Sequence, residues 1–216
     1  MDPLTRALGV AVTTKYLAVG SLCPFVRAGV GAIATQADVN PSFGPRGLRL
    51  LAEGLTPEQV SRTLLEGDDG RERRQLSVLN AQGHAVSFTG SETVSWSGHR
   101  VGPGYAVAGN MLVGEETVTA TEAAFLDAEG QSLPERLLRA LEAGQAAGGD
   151  RRGRQSAAMV VHTTEEYPYL DFRVDDNPDP VAELRRIYDL STSEYLRWKE
   201  YMPSRAHPSG RPRPDR

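Results

Sequence analysis

Four short polar segments at the ends of apolar runs hold the side chains best suited to chemistry. They span 13–15, 35–40, 109–111 and 148–156, and read TTK, TQADVN, GNM and GGDRRGRQS. Functional side chains often collect at strand ends, because a rigid sheet fixes their position while loops keep them accessible. The candidate site residues taken from these segments are Lys15, Gln36, Asn40, Asn110, Asp150, Arg154 and Ser156.

Lys15 is one of only two lysines in the chain, the other being Lys199. At the end of a predicted strand, its ammonium group could hold an anionic substrate or lower the pKa of a neighbouring nucleophile. The alternative is a solvated lysine at a strand end with no part in a site. Lys15 is the one catalytic candidate that these residues suggest.

Three carboxamide side chains could orient a polar substrate. Gln36 and Asn40 could do so directly, or they could cap the loop that precedes the next helix. Asn110 follows an apolar run, where it would aim a neutral donor into a cleft and suit a developing oxyanion or a substrate amide. Asparagine also favours turns, so the sequence leaves both interpretations of Asn110 open.

The loop over 148–156 places Asp150 among several arginines, including Arg154. These guanidinium groups could bind a carboxylate or a phosphate. Alternatively, the loop is a solvated turn whose local ion pairs add little stability. Neither GxxxxGK[ST] nor GxGxxG occurs in the chain, so the pattern does not indicate a phosphate-binding loop. Ser156, at the start of the next strand, could face the same cleft.

Metal and redox chemistry find little support in the residue pattern. The histidines at 84, 99, 162 and 207 form no HExxH motif and no close pair. The single cysteine, Cys23, precedes a proline in an apolar stretch and is expected to pack as a small side chain. We therefore predict no metal and no cofactor.

The composition fits one domain with a tail. The chain has 216 residues, a net charge of −4 and 39% hydrophobic residues, which suits a domain over 1–200 and a disordered Pro- and Arg-rich tail over 201–216. An acidic body argues against a nucleic-acid partner, and no apolar run is long enough to span a membrane. The short apolar run near the N-terminus is broken by a charge, so we expect a cytoplasmic protein without a signal peptide.

Periodicity and capping signals predict the order of elements. Alternating apolar residues predict strands over 8–14, 29–36, 104–108, 155–161 and 169–174, with a β-hairpin over 74–88. Capping and spacing predict helices over 46–53, from Thr56, over Glu115–Asp127, from Ser132 and from Asp179. Pairs of helices separate the groups of strands, unlike the alternation of a doubly wound sheet. We predict an α+β fold: a four-layer αββα sandwich of two antiparallel sheets flanked by helices.

Long segments of the chain resemble the DUF1028 family. They read LGVAVTTKYLAVGSLCPFVRAGVGAIATQADVNPSFGPRGLRLLAEGLTPEQV, AGNMLVG, LLRALEAGQAAGGDRRGRQSAAMVV and VDDNPDPVAELRR. The resemblance spans roughly residues 2–190. That family is assigned to the N-terminal-nucleophile (Ntn) hydrolase superfamily, so the resemblance implies the same sandwich, with a cleft between its sheets.

The resemblance also implies amide hydrolysis by a Thr, Ser or Cys at the mature N-terminus, with its free α-amine as the base. The unperturbed pKa of such an amine, about 7.7–8.0, suits proton abstraction near neutral pH. Here Met1 is followed at once by Asp2 and Pro3, whereas family members begin with a strand before the corresponding DPxT segment. By this comparison the nucleophile is missing from the chain, through a late start codon or because this form is inactive.

Three functions follow from these observations. The first is an amidohydrolase of a small amide, the second a noncatalytic ligand- or partner-binding protein that uses the same cleft, and the third a homo-oligomer assembled through sheet edges. The resemblance implies that Lys15 lies beside the nucleophile and Gln36 near the oxyanion donors. It further implies that Asn110, Asp150 and Ser156 line the same cleft.

Overall fold

The computed structural model describes residues 1–213, which form nine strands and six helices. The strands are β1 (Leu8–Thr14), β2 (Pro24–Arg27), β3 (Gly31–Ala37), β4 (Arg74–Asn80), β5 (Ala85–Thr89), β6 (Gly98–Gly102), β7 (Tyr105–Gly109), β8 (Ser156–His162) and β9 (Leu170–Val174). The helices are α1 (Phe43–Ala52), α2 (Pro57–Glu66), α3 (Glu115–Asp127), α4 (Leu133–Ala146), α5 (Pro180–Ser191) and α6 (Tyr195–Lys199). The predicted elements are confirmed, and β2, β6 and α6 were not predicted.

All strand pairs are antiparallel, and they form three groups. Sheet 1 has the order β1-β8-β9, and sheet 2 has the order β2-β3-β4-β5. The third group is the two-stranded hairpin of β6 and β7, which packs beside β4 and β5. The α+β class is confirmed, and this hairpin adds a small third sheet to the two that the sequence predicted.

The layers stack as helices, sheet 1, sheet 2 and helices. Helices α4 and α5 cover the outer face of sheet 1, while α1 and α2 cover the outer face of sheet 2. Helix α3 packs on α4 and reaches the β6–β7 hairpin. The predicted four-layer αββα sandwich is therefore confirmed. No helix among residues 1–213 is long and apolar enough to cross a membrane.

Strand β1 alternates small and branched residues because its two faces meet different layers. Val10 and Val12 face sheet 2, whereas Ala11 faces α4 together with Leu137 and Leu141. At Gly9 a Cβ atom would lie 3.0 Å from side-chain atoms of Leu137 and Val161. A side chain there would be crowded, because Leu137 of α4 and Val161 of β8 lie so close.

Helix α2 begins where the sequence predicted, and for the predicted reason. The Thr56 hydroxyl accepts a hydrogen bond from the Gln59 amide, and the Gln59 side chain accepts one from the Thr56 amide. This reciprocal capping box satisfies two backbone donors that would otherwise lack partners. The capping box fixes the start of α2, and Val60 and Leu64 of this helix are fully buried against sheet 2.

The chain beyond α5 lies against the loop that precedes β9. The Lys199 ammonium donates to the carbonyl oxygens of Pro168 and Tyr169, at 2.6 and 2.5 Å. The Tyr167 hydroxyl donates to the Pro203 carbonyl at 2.7 Å. Part of the segment predicted to be a disordered tail, within residues 201–213, therefore contacts the folded domain. Residues 214–216 lie outside the described part of the chain.

Candidate functional site

A cleft of about 490 Å³ runs along the edge of β1 that faces away from β8. No strand among residues 1–213 pairs with this edge. One side of the cleft, the sheet wall, is formed by Ala32, Ala34, Ser77 and Leu79. The opposite side, the helix wall, is formed by Thr117, Thr121, Leu137, Leu141, Gly144 and Gln145. Strand β7 closes the cleft across from β1.

Polar side chains collect at the end of the cleft beside the last residue of β1. This polar end consists of Thr14, Gln36, Asn110, Asp150 and Arg152, which all line the cleft. They come from β1, β3, the turn after β7 and the loop before β8. The structure therefore brings residues from all four polar segments that the sequence singled out to one cleft, with segment 109–111 lining it in full and the other three in part.

The fully buried side chain of Gln75 organises the polar end from beneath. Its Oε1 atom accepts hydrogen bonds from the Gln36 amide at 2.7 Å and the Asn110 amide at 3.2 Å. Two carboxamides from different elements are thus held by one acceptor. The sequence analysis missed Gln75, because one glutamine in an alternating strand looks the same whether that face is buried or exposed.

The other end of the Gln75 amide fixes the backbone around the cleft. Its Nε2 atom donates to the Thr89 hydroxyl and to the carbonyl oxygens of Gly98 and Gly109, over 2.9–3.1 Å. These contacts tie β4 to β5, β6 and β7. A buried carboxamide with partners on every side is rigid, so the groups that it positions are preorganised.

Asn110 lies in the turn after β7, and its side chain lines the cleft. The next residue, Met111, has a φ of 54°, so the chain turns sharply here. One N–H of the Asn110 carboxamide is used by Gln75. Its second N–H and its carbonyl oxygen have no bond to any residue between 1 and 213, and the side chain lines the cleft. These free groups can contact a ligand.

Asp150 joins the loop before β8 to the end of β1. Its carboxylate accepts hydrogen bonds from the Lys15 amide at 3.1 Å, the Thr14 hydroxyl at 3.3 Å and the Arg152 guanidinium at 2.7 Å. Burial raises the pKa of Asp150, but the bonds from Arg152 and Lys15 outweigh it, so the pKa lies below its ordinary value. Asp150 is therefore an ionised anchor at neutral pH.

Lys15 and Arg154 lie at the rim of the polar end. The Lys15 side chain is exposed and does not line the cleft, although its backbone amide is bound to Asp150. Arg154 lines the cleft and forms an ion pair with Asp179 at 3.5 Å.

Asn40 and Ser156 do not line the cleft, contrary to what the sequence suggested for them. The Asn40 oxygen accepts hydrogen bonds from Ser42, which stabilises the loop before α1. Ser156 is fully buried, donates to the Tyr16 carbonyl at 2.6 Å and accepts from the Val19 amide at 3.1 Å. Both side chains therefore shape loops, which for Asn40 is the alternative that the sequence left open.

Two polar groups on the helix wall have no hydrogen-bond partner among residues 1–213. They are the Thr117 hydroxyl and the Gln145 carbonyl oxygen, both buried. The Gln145 amide nitrogen is held by Asp179 at 3.0 Å, which fixes the carboxamide. Sequence reasoning missed both residues, because Thr117 and Gln145 look like ordinary polar positions on helices. Both residues line the cleft, but the atoms without partners are themselves buried.

The described residues offer no activated nucleophile at the polar end. Burial raises the pKa of the Cys23 thiol to about 12, so it stays protonated. The Thr14 hydroxyl donates to Asp150 and the Thr13 hydroxyl to the Ser156 carbonyl. Between residues 1 and 213, no group of three His, Cys, Asp or Glu side chains could hold a metal ion.

Comparisons with known proteins found a matching family model and similar solved structures. The model of a "Family of unknown function (DUF1028)" matches residues 1–184. The crystal structure of protein SPO2555 from Silicibacter pomeroyi is 32% identical, with a TM-score of 0.89 over 97% of this chain and 91% of that chain. Anbu (ancestral beta-subunit) from Yersinia bercovieri is 13% identical, with a TM-score of 0.36 over 92% of this chain and 97% of that chain. No curated protein matches the chain.

Proposed function

Because the chain belongs to the DUF1028 family, whose function is unknown, we propose a function from the cleft itself: the protein is the scaffold of an Ntn-type hydrolase of a small amide. One observation carries the proposal. The cleft follows the unpaired edge of β1 and ends at two carboxamides, Gln36 and Asn110, that Gln75 holds in place. An enzyme that cuts amides needs such fixed polar groups around the scissile bond.

The nucleophile would come from a strand that pairs with β1. The Asp2 amide donates to the Ala7 carbonyl at 2.9 Å, so the chain at Met1 already runs antiparallel to the start of β1. Met1 lies at the end of the cleft away from the polar end, where its ammonium donates to the Gly104 carbonyl. A preceding strand of about seven residues would span roughly 24 Å and begin beside Asn110.

Three groups at the polar end or its rim would then have roles. A threonine with a free amine would attack the amide carbon, and its amine would take the hydroxyl proton. The second N–H of Asn110 would stabilise the oxyanion. Lys15 would lower the pKa of that amine through its positive charge, and Arg154 would bind an acidic group of the substrate in place of Asp179.

The test compares the chain as printed with a form preceded by a seven-residue strand that begins with threonine. The extended form is expected to release ammonia or amine from members of a panel of small amides. A matched variant that begins with alanine is expected to release none. Equal rates for the threonine and alanine forms, or no turnover by either, would remove the proposal.

The DNA before the Met1 codon offers a simpler check. An in-frame strand that begins with threonine favours hydrolysis, whereas an in-frame stop codon favours a noncatalytic binding protein.

A noncatalytic binding protein on the same cleft is the second candidate function. The free groups of the Asn110 carboxamide favour it, because they line the cleft and can bind a ligand without any chemical step. Calorimetry of the printed chain with small primary and secondary amides distinguishes the candidates. Binding without turnover, unchanged by the threonine extension, supports the second and contradicts the first.

A further inference from the structure

We propose that a second cavity, beside the cleft, binds a small monocarboxylate through the guanidinium group of Arg136. This turn cavity has a volume of about 640 Å³. Its lining comes from the turns over 82–85 and 101–105 and from the residues where α3 ends and α4 begins. The inference needs neither a nucleophile nor the polar end of the cleft, so it stands apart from the proposed function.

Arg136 is an almost fully buried cation without an acidic partner. The residue is only 7% exposed. Its Nε atom donates to the Phe125 carbonyl at 3.2 Å, whereas neither Nη atom has a hydrogen bond or an ion pair with any residue between 1 and 213. Burying an ion costs several kcal/mol unless partners compensate it. Arg136 therefore has a binding capacity that the described chain leaves unused.

The free Nη atoms are within reach of a ligand. The sealed side-chain atoms without a partner in residues 1–213 belong to Thr117, Gln145 and His162, so the Nη atoms reach solvent, and Arg136 lines the turn cavity. The guanidinium carbon lies 4.0 Å from the centroid of the Phe125 ring, which supports one face of the group. This arrangement leaves the edge of the guanidinium available. Such a planar fork binds a carboxylate through two parallel hydrogen bonds.

The charged groups near Arg136 do not take the place of a ligand. The Asp2 carboxylate lies nearby, but it accepts hydrogen bonds from two backbone amides of its own loop, at 3.0 and 2.7 Å. It forms no ion pair with Arg136. The Met1 ammonium is also near and donates to the Gly104 carbonyl. A ligand carboxylate would supply the acceptors that Asp2 does not offer to the Nη atoms.

The other lining residues select among anions. Four apolar side chains form an exposed part of the turn cavity: Pro3, Val101, Pro103 and Leu126. The carboxylates of Glu58 and Glu129 also line it, and they would repel a second negative charge on a ligand. We therefore expect a monocarboxylate with an apolar body rather than a phosphate. The volume lies within the range of about 300–1,000 Å³ that is usual for small-molecule sites.

The first experiment measures binding of 3-phenylpropanoate to the printed chain by calorimetry at pH 7. The control ligand 3-phenylpropan-1-ol has the same apolar body without the carboxylate. It is expected to bind at least about tenfold more weakly, because it cannot form the two charge-assisted hydrogen bonds. Inorganic phosphate is also expected to bind at least about tenfold more weakly, because it has no apolar body and more negative charge.

The second experiment tests Arg136 with a matched pair of variants. Arg136→Lys keeps the charge but loses the planar fork, and it is expected to weaken binding of 3-phenylpropanoate at least about tenfold. Arg139→Lys makes the same change at an exposed position farther along α4, outside the turn cavity. This control is expected to bind the probe as the parent does.

A second pair of variants keeps the test valid if Arg136→Lys does not fold. Leu126→Glu adds a negative charge at an exposed position of the turn cavity. It is expected to weaken binding of the probe at least about threefold by repulsion. Leu190→Glu makes the same change at an exposed position of α5, outside the turn cavity, and is expected to bind the probe normally.

The extended form that begins with alanine separates Arg136 from the Met1 ammonium. In that form an amide replaces the ammonium, and the added strand would lie along β1 rather than in the turn cavity. The form is expected to bind the probe with an affinity within about fivefold of that of the printed chain, because only a weak through-space attraction is removed. Loss of binding would assign the carboxylate to the ammonium and overturn the inference.

Three other results would also overturn the inference. They are no binding of 3-phenylpropanoate, equal binding of the alcohol or of phosphate, and equal affinities within each pair of folded variants. Hydrolysis and carboxylate binding fail separately. The first is measured on the form that begins with threonine, and the second needs no turnover.

Discussion

Gln75 shows how much of the cleft depends on one buried side chain. It holds Gln36 and Asn110 through its oxygen, and the carbonyls of Gly98 and Gly109 through its nitrogen. Buried polar groups left without a partner cost about 1–3 kcal/mol each. The arrangement of the polar end is therefore a consequence of satisfying one carboxamide.

Gln75→Leu is expected to destabilise the protein by about 2 kcal/mol or more, because it leaves several buried groups without partners. It is also expected to weaken binding of any ligand that contacts Asn110. Urea denaturation and calorimetry measure the two effects. Gln82→Leu, at an exposed position, serves as the control and should change neither. A Gln75 variant as stable as the control would contradict the structure.

Asp150 gives a pH-dependent prediction. Its pKa is lowered in the folded protein, so its contribution to stability is present above the unfolded pKa of about 3.9 and is lost as the pH falls through the lower folded value. Asp150→Asn is expected to have a lower free energy of unfolding than the parent at pH 7. The difference between the two proteins is expected to be smaller at pH 3. Urea denaturation at pH 7 and pH 3 tests this. An equal difference in free energy of unfolding at the two pH values would show that the charge has no role.

Residue roles were the hardest feature to infer from sequence. Gln36, Asn110, Asp150 and Arg154 could be placed near one another because each lies at or near the end of a strand, and all four line the cleft. Ser156 has the same sequence context, yet its hydroxyl turns into the core. Sequence position gives the strand end but not the direction of the side chain.

At the scale of elements, strong local signals gave accurate bounds. Helix α3 begins and ends at the predicted residues, Glu115 and Asp127. Strands β2 and β6 were missed for physical reasons. Strand β2 has only four residues and begins with Pro24, and β6 contains Gly98, His99 and Arg100, which form a strand only because β7 pairs with them.

The approach of α4 to β1 gives a prediction at this scale. Gly9→Val is expected to cost about 1–3 kcal/mol, because the new side chain would push against Leu137 and Val161. Thermal and urea unfolding measure the cost. Gly67→Ala, where the nearest atom lies 3.7 Å from the new Cβ, is the control and is expected to change stability little. A neutral Gly9→Val would mean that α4 is not held against β1.

At the scale of the whole molecule, the sequence predicted the layers because their order follows from local patterns. Pairs of helices separated by groups of strands have few arrangements that bury every apolar face. The cleft could not be predicted from those patterns, because it depends on which edge of β1 stays unpaired. The placement of the protein in the cytoplasm and its assembly into oligomers stay predictions.

The central claim is that the edge of β1 facing away from β8 pairs with no strand among residues 1–213 and can accept the strand of the extended form. Hydrogen exchange of residues 8–14 in the printed chain, resolved by amide, tests it most directly. In an antiparallel edge strand every second N–H points away from its partner, so the account predicts alternating fast and slow exchange along β1. Uniformly slow exchange of all these amides would show that the edge is already paired and would contradict the account.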